Sequence, residues 1–262
     1  MKLYKVLRRD GRLFGPFQKY EYEAGREYIC EDFDSNPSNE CSRGYYATGI
    51  DGIIYSFRNL PGYEVWEVEV GGRGVEIDRF KRRYERIKLV RQVPLEEVRA
   101  LAEAEEENVG YKLSEALFPV NPLKIEAGPV TDEEIELLKK WRSVRRSIRH
   151  SVWDSVWDSV WGNVWGSIRD SVWDNVWGSI RDSVWGSIRS SVWDSVGAYI
   201  SSFYPGIKTW KYIDHPEGEN PFQPAITLWH RALSPVSTAK YGGCMRGKKQ
   251  KLYGRGKFRH GE

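Results

Sequence analysis

The sequence has few cysteines and no long apolar run. Three cysteines (Cys30, Cys41 and Cys244) in 262 residues do not indicate a disulfide-stabilised domain. No stretch of 18 consecutive apolar residues is present, so no membrane-spanning helix and no membrane partner are predicted. The first residues, MKLYKVLRRDGRLF, lack the apolar core of a signal peptide. These absences predict a cytoplasmic protein, in the host cytoplasm if the chain is viral.

The motifs of common enzyme classes are missing as well. The sequence contains neither a Gly-rich phosphate loop nor a nucleophile elbow. Cys30, Asp32, Asp34 and Cys41 lie close together, but their spacing matches neither a zinc site nor a calcium loop. We therefore predict no metal site and no cofactor.

Charge is distributed unevenly along the chain. The net charge is +3, whereas Lys240 to Glu262 alone holds eight basic residues and one acidic residue, a net +7. Residues 234–262 are rich in glycine and predict a disordered, basic tail. Such a tail is a candidate for binding nucleic acid, with a merely solubilising role as the alternative. The basic residues concerned are Arg246, Lys248, Lys249, Lys251, Arg255, Lys257 and Arg259.

A tetrapeptide repeat is the most conspicuous feature that is present. Fourteen consecutive units run from Ser143 to Ala198, with Ser or Asn first, Val or Ile second, mostly Trp or Arg third, and mostly Asp or Gly fourth. We call this segment the tetrad repeat. It holds eight of the twelve tryptophans of the chain. A fixed period indicates one structural unit that is stacked on itself.

The composition of the tetrad repeat favours a β-solenoid. Val, Ile and Trp are typical of strands, and Ser, Asn, Asp and Gly are typical of turns. Residues 163–174 and 175–186 match at eleven of twelve positions, which predicts about three tetrads per coil. Packed α-helices are the alternative. They are disfavoured because a residue repeated every four positions drifts about 40° per unit around a helix, and because these residue types have low helix propensity.

The third position of the tetrad is the candidate binding face. In a solenoid the side chains at this position point outward. Exposed aromatic rings and arginines are typical of surfaces that bind a protein, a glycan or nucleic acid, or that support self-association. The alternative is that these side chains stack on one another or are covered by the flanking domains. The column comprises Trp153, Trp157, Trp161, Trp165, Arg169, Trp173, Trp177, Arg181, Trp185, Arg189 and Trp193.

Composition and hydrophobic pattern divide the chain into five segments. Residues 1–93 predict a mostly-β head domain, and residues 94–142 predict a helical connector that caps the repeat. The tetrad repeat occupies residues 143–198. Residues 199–233 predict a small C-terminal cap, and the basic tail follows at 234–262. The predicted fold is therefore an α+β N-terminal domain, a tetrapeptide β-solenoid and a small cap.

Strands are predicted where apolar and polar residues alternate or apolar β-formers cluster. They are Leu3–Val6, Tyr20–Tyr28, Tyr63–Val70, Ile87–Val93, Tyr199–Tyr204 and Ile207–Ile213. The short apolar segment Ile50–Phe57 fits either a helix or a strand.

Helices are predicted from their end signals. One begins after Pro94 and ends at Gly110, and a second begins at Thr131, which has capping-box spacing to Glu134. Pro224–Leu233 predicts a further helix, with proline near its start.

Two resemblances to known families accompany these patterns. The segments LYKVLRRDG, YEYEAGREY, CSRGYYA, YEVWEVEVGGRG and RIKLVRQV resemble a domain of unknown function common in phage and prophage proteins. That family usually has histidine where this chain has Tyr46. The tetrad repeat with SSFYPGIKTWKYIDHPEGENPFQPAITLWHRAL resembles phage and metagenomic tetrapeptide-repeat proteins. The resemblance implies a viral or mobile-element origin but no known activity.

A third similarity implies an enzymatic alternative. The order LYKVL, GYYATGIDGIIYSF and EVWEVEV is similar to small ADP-ribosyltransferase-like folds, which have an aromatic-lined NAD cleft and a catalytic glutamate. By position alone, Tyr46, Tyr55 and Glu69 would be the catalytic candidates. The preferred prediction is a non-enzymatic binding or structural repeat protein. The alternatives are such an enzyme, with the repeat as spacer or targeting element, and a protein that binds nucleic acid through its tail.

Overall fold

The structure is a computed structural model that describes residues 2–10, 12–15, 18–126, 128–148, 152–160, 167–174, 189–237 and 242–246. The chain divides into two compact units. The first unit comprises Met1–Phe118, and the second comprises Pro119–Glu262. Both α-helices and β-strands are present, so the protein is of mixed α/β class.

One antiparallel sheet organises the first unit. Its strands are β1 (Leu3–Asp10), β2 (Arg12–Gly15), β3 (Gln18–Tyr22), β4 (Glu27–Ile29), β5 (Tyr45–Ala47), β6 (Tyr63–Glu76) and β7 (Arg82–Val93). Six of them follow the order β3-β2-β1-β6-β7-β4 and curl into a half-barrel, and β5 pairs with the beginning of β7.

The alternation of apolar residues explains the core of this sheet. Successive side chains of a strand point to opposite faces, so Leu3 and Leu7 of β1 share one face. They pack there with Val68 of β6 and with Ile87 and Leu89 of β7. The strands predicted at the start of β1, in β6 and in β7 are confirmed.

The single strand predicted for Tyr20–Tyr28 is wrong. A turn at Gly25 separates β3 from β4, and its φ of 79° lies in the left-handed region that glycine adopts without strain. The two strands end up at opposite edges of the sheet, because β3 pairs with β2 and β4 pairs with β7.

Short helices complete the first unit. A 3₁₀ helix covers Ile50–Tyr55, a segment that the sequence left open between helix and strand. Helix α1 covers Leu95–Val109 and α2 covers Leu113–Leu117. Gly110 ends α1 in a left-handed conformation, which confirms the predicted helix and its stop signal.

The second unit is mainly helical. Helix α3 covers Asp132–Ser147, α4 covers Val152–Ser159, residues 167–174 are helical (α5), α6 covers Arg189–Ser201 and α7 covers Gln223–His230. Helix α4 packs against α6, and α3 packs against α7. The predicted capping box at Thr131 and the predicted helix near Pro224 are confirmed.

The predicted β-solenoid, with three tetrads per coil, is wrong for the described part of the tetrad repeat. That part contains helices α4 and α5, the end of α3 and most of α6, and it contains no strand. The drift of 40° per tetrad excludes one long helix but not short ones. In an eight-residue helix such as α4, the second tetrad position occurs twice, at Val152 and Val156, and drifts by only about 40° between them, so it stays on one buried face.

The second tetrad position points inward on these helices rather than on strands. Its buried members, in or directly after these helices, are Ile148, Val152, Val156, Val160, Ile168, Val172 and Val196. Three first-position serines, Ser155, Ser171 and Ser195, are buried too. The Ser155 hydroxyl donates to the main-chain carbonyl of Lys211. These small side chains therefore lie at buried positions of helices rather than in turns. Their burial in the packed helices outweighs their low helix propensity.

Two further strand predictions are wrong, because Tyr199 lies in α6 and residues 207–213 form no strand. Strands β8 (Leu233–Ser237) and β9 (Gly242–Arg246) pair with each other. They lie largely within the segment that we predicted to be disordered.

Candidate functional site

A cavity of about 410 Å³ lies within the first unit. Strand β1, strand β5, the 3₁₀ helix and the turn between β6 and β7 all contribute to its wall. Four aromatic rings and two lysines give the wall its chemistry. These residues are Tyr4, Tyr46, Tyr55, Phe80, Lys5 and Lys81.

An edge of β1 borders this cavity. Tyr4 exchanges both main-chain hydrogen bonds with Thr48, at 2.8 and 3.0 Å, and β1 pairs with β2 only from Arg8 onward. Val6 lies between these two points and lines the cavity. Its main-chain N–H and C=O point in the same direction as those of Tyr4, because alternate residues of a strand share an edge. No described strand pairs with the N–H and C=O of Val6, so a ligand in the cavity would meet these two peptide groups.

Lys5 is a buried cation in the wall. Its residue is 7% exposed, and its Nζ donates to the main-chain oxygen of Tyr46 at 2.9 Å. The ammonium also lies 5.2 Å from the ring centre of Tyr22. Burial alone lowers the pKa of Lys5 to about 8. Among the described residues no carboxylate lies within ion-pair distance of it, so the charge is compensated by only a carbonyl and a ring.

Tyr46 is fixed by the loop that precedes it. Its hydroxyl donates to the Ser42 carbonyl at 2.9 Å and accepts from the Ser42 N–H and from the Arg83 guanidinium. Arg83 is fully buried and also donates to the carbonyls of Asn36 and Asn39, which holds the loop in place. The hydroxyl of Tyr46 therefore has a structural role, and the ring is the part that it offers to a ligand.

The 3₁₀ helix packs closely on Thr48 in the cavity wall. A Cβ atom added to Gly52 would lie 1.9 Å from the Thr48 hydroxyl oxygen, so only glycine fits there. That hydroxyl is buried and has no hydrogen-bond partner in the described part of the chain. Tyr55 ends the helix, and its ring lies 5.3 Å from that of Phe80. Burial raises the pKa of Tyr55.

The structure brings two of the three catalytic candidates together. Tyr46 and Tyr55 both line the cavity. Glu69 does not, because it lies on the exposed side of β6 and pairs with Lys88 at 3.6 Å. Asp78 is the acidic residue among the described residues that line the cavity, and its carboxylate accepts from the Phe80 N–H at 2.7 Å.

Sequence reasoning did not select Lys5, although the sequence contains a signal for it. Lys5 stands between Leu3 and Leu7 at the spacing that puts all three on the same face of β1. A lysine on the apolar face of a strand is unusual and indicates either a paired charge or a functional group. Thr48, Phe80 and Lys81 carry no comparable signal, because the fold alone brings them together.

The described members of the Trp/Arg column mostly pack on one another. The ring of Trp193 stacks on Trp173, with centroids 4.0 Å apart, and meets Trp153 edge-on at 4.5 Å. Arg169 pairs with the adjacent Asp170, and Trp157 is 47% exposed. The side chains of Trp161, Trp165, Trp177, Arg181, Trp185 and Arg189 lie outside the described residues.

The basic tail is described only at its beginning. Arg246 ends β9, while Lys248, Lys249, Lys251, Arg255, Lys257 and Arg259 lie outside the described residues. None of the helices that the structure describes is both long enough and apolar enough to cross a membrane.

Neither a family model, nor a curated protein, nor a solved structure matches the chain. A function therefore has to be argued from the groups that line the cavity and from the packing of the repeat.

Proposed function

We propose that the chain is a binding protein whose first unit holds a small molecule in the cavity described above. The observation that carries this proposal is a cavity of about 410 Å³ whose lining residues include Lys5, a lysine that is only 7% exposed. A cavity of this size matches sites for small ligands, which are mostly apolar with a few placed polar groups. A buried charge without a carboxylate partner is costly in a purely structural role.

The wall indicates the general shape of the ligand. Aromatic rings of Tyr4, Tyr55 and Phe80 favour a flat or apolar part. The Thr48 hydroxyl and the peptide groups at Val6 favour hydrogen-bonding groups along one side of the ligand. A small planar molecule with a polar edge meets both requirements.

We further propose that the tetrad repeat serves mainly to build the second unit. Its valines form a buried stripe, and Trp153, Trp173 and Trp193 pack on each other. The exposed ring of Trp157 is the described position from which the repeat would contact a protein or glycan partner.

Binding in the cavity is testable with a cavity-filling variant. Ser56 lines the cavity, so Ser56→Phe should occupy it. A panel of small planar compounds, NAD among them, would be screened by thermal shift and then by calorimetry. Hits should lose at least about tenfold in affinity in Ser56→Phe, which corresponds to about 1.4 kcal/mol. Ser38→Phe, in an exposed turn, is the matched control and should bind like the unaltered chain. Equal affinity in both variants would locate binding elsewhere and refute the proposal.

The enzymatic alternative rests on Tyr46 and Tyr55, which share the cavity. It requires the glutamate to act there as well, and Glu69 lies away from the cavity wall. We therefore expect no NAD turnover that depends on Glu69. Robust turnover that is lost in Glu69→Gln and retained in Glu76→Gln, a second acidic residue of β6, would favour the enzyme.

A further inference from the structure

We propose that Lys5 is a nucleophilic amine that captures a small aldehyde or ketone in the cavity as an imine. This inference rests on the proposed function, because the carbonyl compound must first enter the same cavity. It goes further by naming the chemical class of the ligand and the atom, Lys5 Nζ, that would bond to it.

The first argument is the placement of the amine. Lys5 is one of the cavity-lining residues and is buried by β1 and its neighbours. Its Nζ makes one hydrogen bond, to the Tyr46 carbonyl at 2.9 Å. An amine that donates one of its hydrogens to a fixed carbonyl keeps its orientation, and when neutral it still has a lone pair for attack on a bound carbonyl carbon.

The second argument concerns the charges around this amine. Tyr22 faces it through its ring, and burial raises the pKa of the Tyr22 hydroxyl, so this neighbour stays neutral. Asp78 and Lys81 also line the cavity, but neither contributes to the pKa of Lys5, which burial alone lowers to about 8. At pH 7 this value gives about 300 times more neutral amine than an ordinary lysine with a pKa near 10.5.

Lys81 provides a comparison within the same cavity. Its Nζ lies 4.8 Å from the ring centre of Tyr46 and donates to the Cys41 sulfur at 3.5 Å. Lys81 is only half-buried, whereas the Lys5 residue is 7% exposed, so the Lys5 amine is better shielded from water. The structure therefore singles out Lys5 rather than both lysines.

The chemistry needs no component beyond the ligand. The neutral amine of Lys5 attacks the carbonyl carbon, forming a C–N bond while the C=O electron pair moves to oxygen. A proton passes from nitrogen to that oxygen, which gives a carbinolamine. The hydroxyl then leaves as water, taking a second proton from nitrogen, and a C=N bond remains. One amine and one carbonyl compound yield one imine and one water.

The test traps this imine on the full chain. The protein is incubated at pH 7 with benzaldehyde and cyanoborohydride, which reduces an imine to a stable secondary amine. Tandem mass spectrometry then assigns the benzyl group to individual lysines and separates Lys5 from Lys2 and from the terminal amine. Lys5 should be labelled at least about 30-fold faster than Lys81 or the half-buried Lys88, because burial lowers the pKa of Lys5 to about 8.

Variants and a dye separate the possible failures. Lys5→Met should remove the fast label and Lys88→Met should retain it, with folding checked by circular dichroism. In parallel, 8-anilinonaphthalene-1-sulfonate, which lacks a carbonyl group, reports whether the cavity binds planar molecules and whether Ser56→Phe blocks them. Labelling of Lys5 no faster than that of Lys88 overturns the imine inference. If the dye still binds in that case, the proposed binding function stands. If Lys5 is labelled no faster than Lys88 and the dye does not bind in the cavity, both proposals are wrong.

Discussion

The indole of Trp173 stacks on the indole of Trp193, with ring centroids 4.0 Å apart and planes inclined by 11°. Trp153 meets the same Trp193 ring edge-on, at 4.5 Å and 79°. The three residues occupy the third tetrad position and are spaced twenty residues apart, which equals five tetrads. Five tetrads therefore bring equivalent positions of α4, α5 and α6 to one cluster, and Trp193 is its centre.

Replacing the central indole should destabilise the second unit. Trp193→Ala removes two ring contacts at once, so we expect the free energy of unfolding to fall by about 2–4 kcal/mol. Trp157→Ala removes a ring that is 47% exposed and should cost less than about 1 kcal/mol. Urea unfolding followed by far-UV circular dichroism measures both. Equal losses would show that the Trp193 cluster does not contribute specifically.

The valine stripe offers a second matched pair. Val156 in α4 is fully buried, whereas Val144 in α3 is half-buried at the same tetrad position. Val156→Ala should cost about 1–2 kcal/mol, because the cavity it leaves outweighs the better helix propensity of alanine. Val144→Ala should be nearly neutral, because the smaller loss of packing at this half-buried position is close in size to the gain in helix propensity. The same urea titrations would reveal the difference, and a larger loss for Val144→Ala would contradict the assigned helix faces.

Local patterns predicted some elements of this fold and missed others for identifiable reasons. The strands in β1, β6 and β7 follow from alternation, and the start of α3 follows from the Thr131 capping box. The β-solenoid prediction is wrong because it applied the drift and the low helix propensity to the tetrad repeat as one continuous element. Dividing the repeat into short helices removes the drift problem, and burial of valine and tryptophan offsets the propensity cost.

The cavity was predicted only in part. Tyr46 and Tyr55 were selected by their place in the sequence, and both line it. Glu69 was selected in the same way, but it lies away from the cavity and pairs with Lys88. The alternation of residues along a strand does not indicate which strand borders a cavity. Phe80 and Lys81 reach the wall through the turn between β6 and β7, which is a property of the sheet rather than of the local sequence.

The N-terminal cap of α3 should contribute measurably to the free energy of unfolding. The Thr131 hydroxyl accepts from the Glu134 N–H at 3.2 Å, and the Glu134 carboxylate accepts from the Thr131 N–H at 2.8 Å. Thr131→Ala should reduce the free energy of unfolding by about 1 kcal/mol, while Thr131→Ser keeps the oxygen and most of the stability. Thermal and urea unfolding test this prediction. Equal stability of the Ala and Ser variants would show that the cap is not energetically significant.

A pH effect is expected at the pair formed by Asp194 in α6 and Arg145 in α3, whose side chains are 2.5 Å apart. Burial raises the pKa of Asp194, and this outweighs the attraction of Arg145. The folded state therefore binds the proton more tightly than the unfolded chain does. As pH rises through the unfolded and then the folded pKa, the intact chain should lose stability relative to Asp194→Asn. Urea midpoints of both proteins between about pH 3 and 7 give the difference, and a constant difference contradicts the shift.

Lys5 provides the sharpest pH prediction, with the opposite sign. Burial lowers its pKa from 10.5 to about 8, so the folded state releases the proton before the unfolded chain does. Below pH 8 both states are protonated, and the buried charge costs at most about 3 kcal/mol, which Lys5→Met should recover. Between pH 8 and 10.5 the unfolded chain holds more protons, so the intact protein should gain stability relative to Lys5→Met as pH rises. Lys88→Met, on a half-buried lysine of β7 that pairs with Glu69, controls for the general effect of alkaline pH. Urea unfolding at pH 7 to 10.5 measures the three proteins together. A Lys5→Met difference that is flat across this range would show that the amine is solvated, and the nucleophilic role of Lys5 would then lose its physical basis.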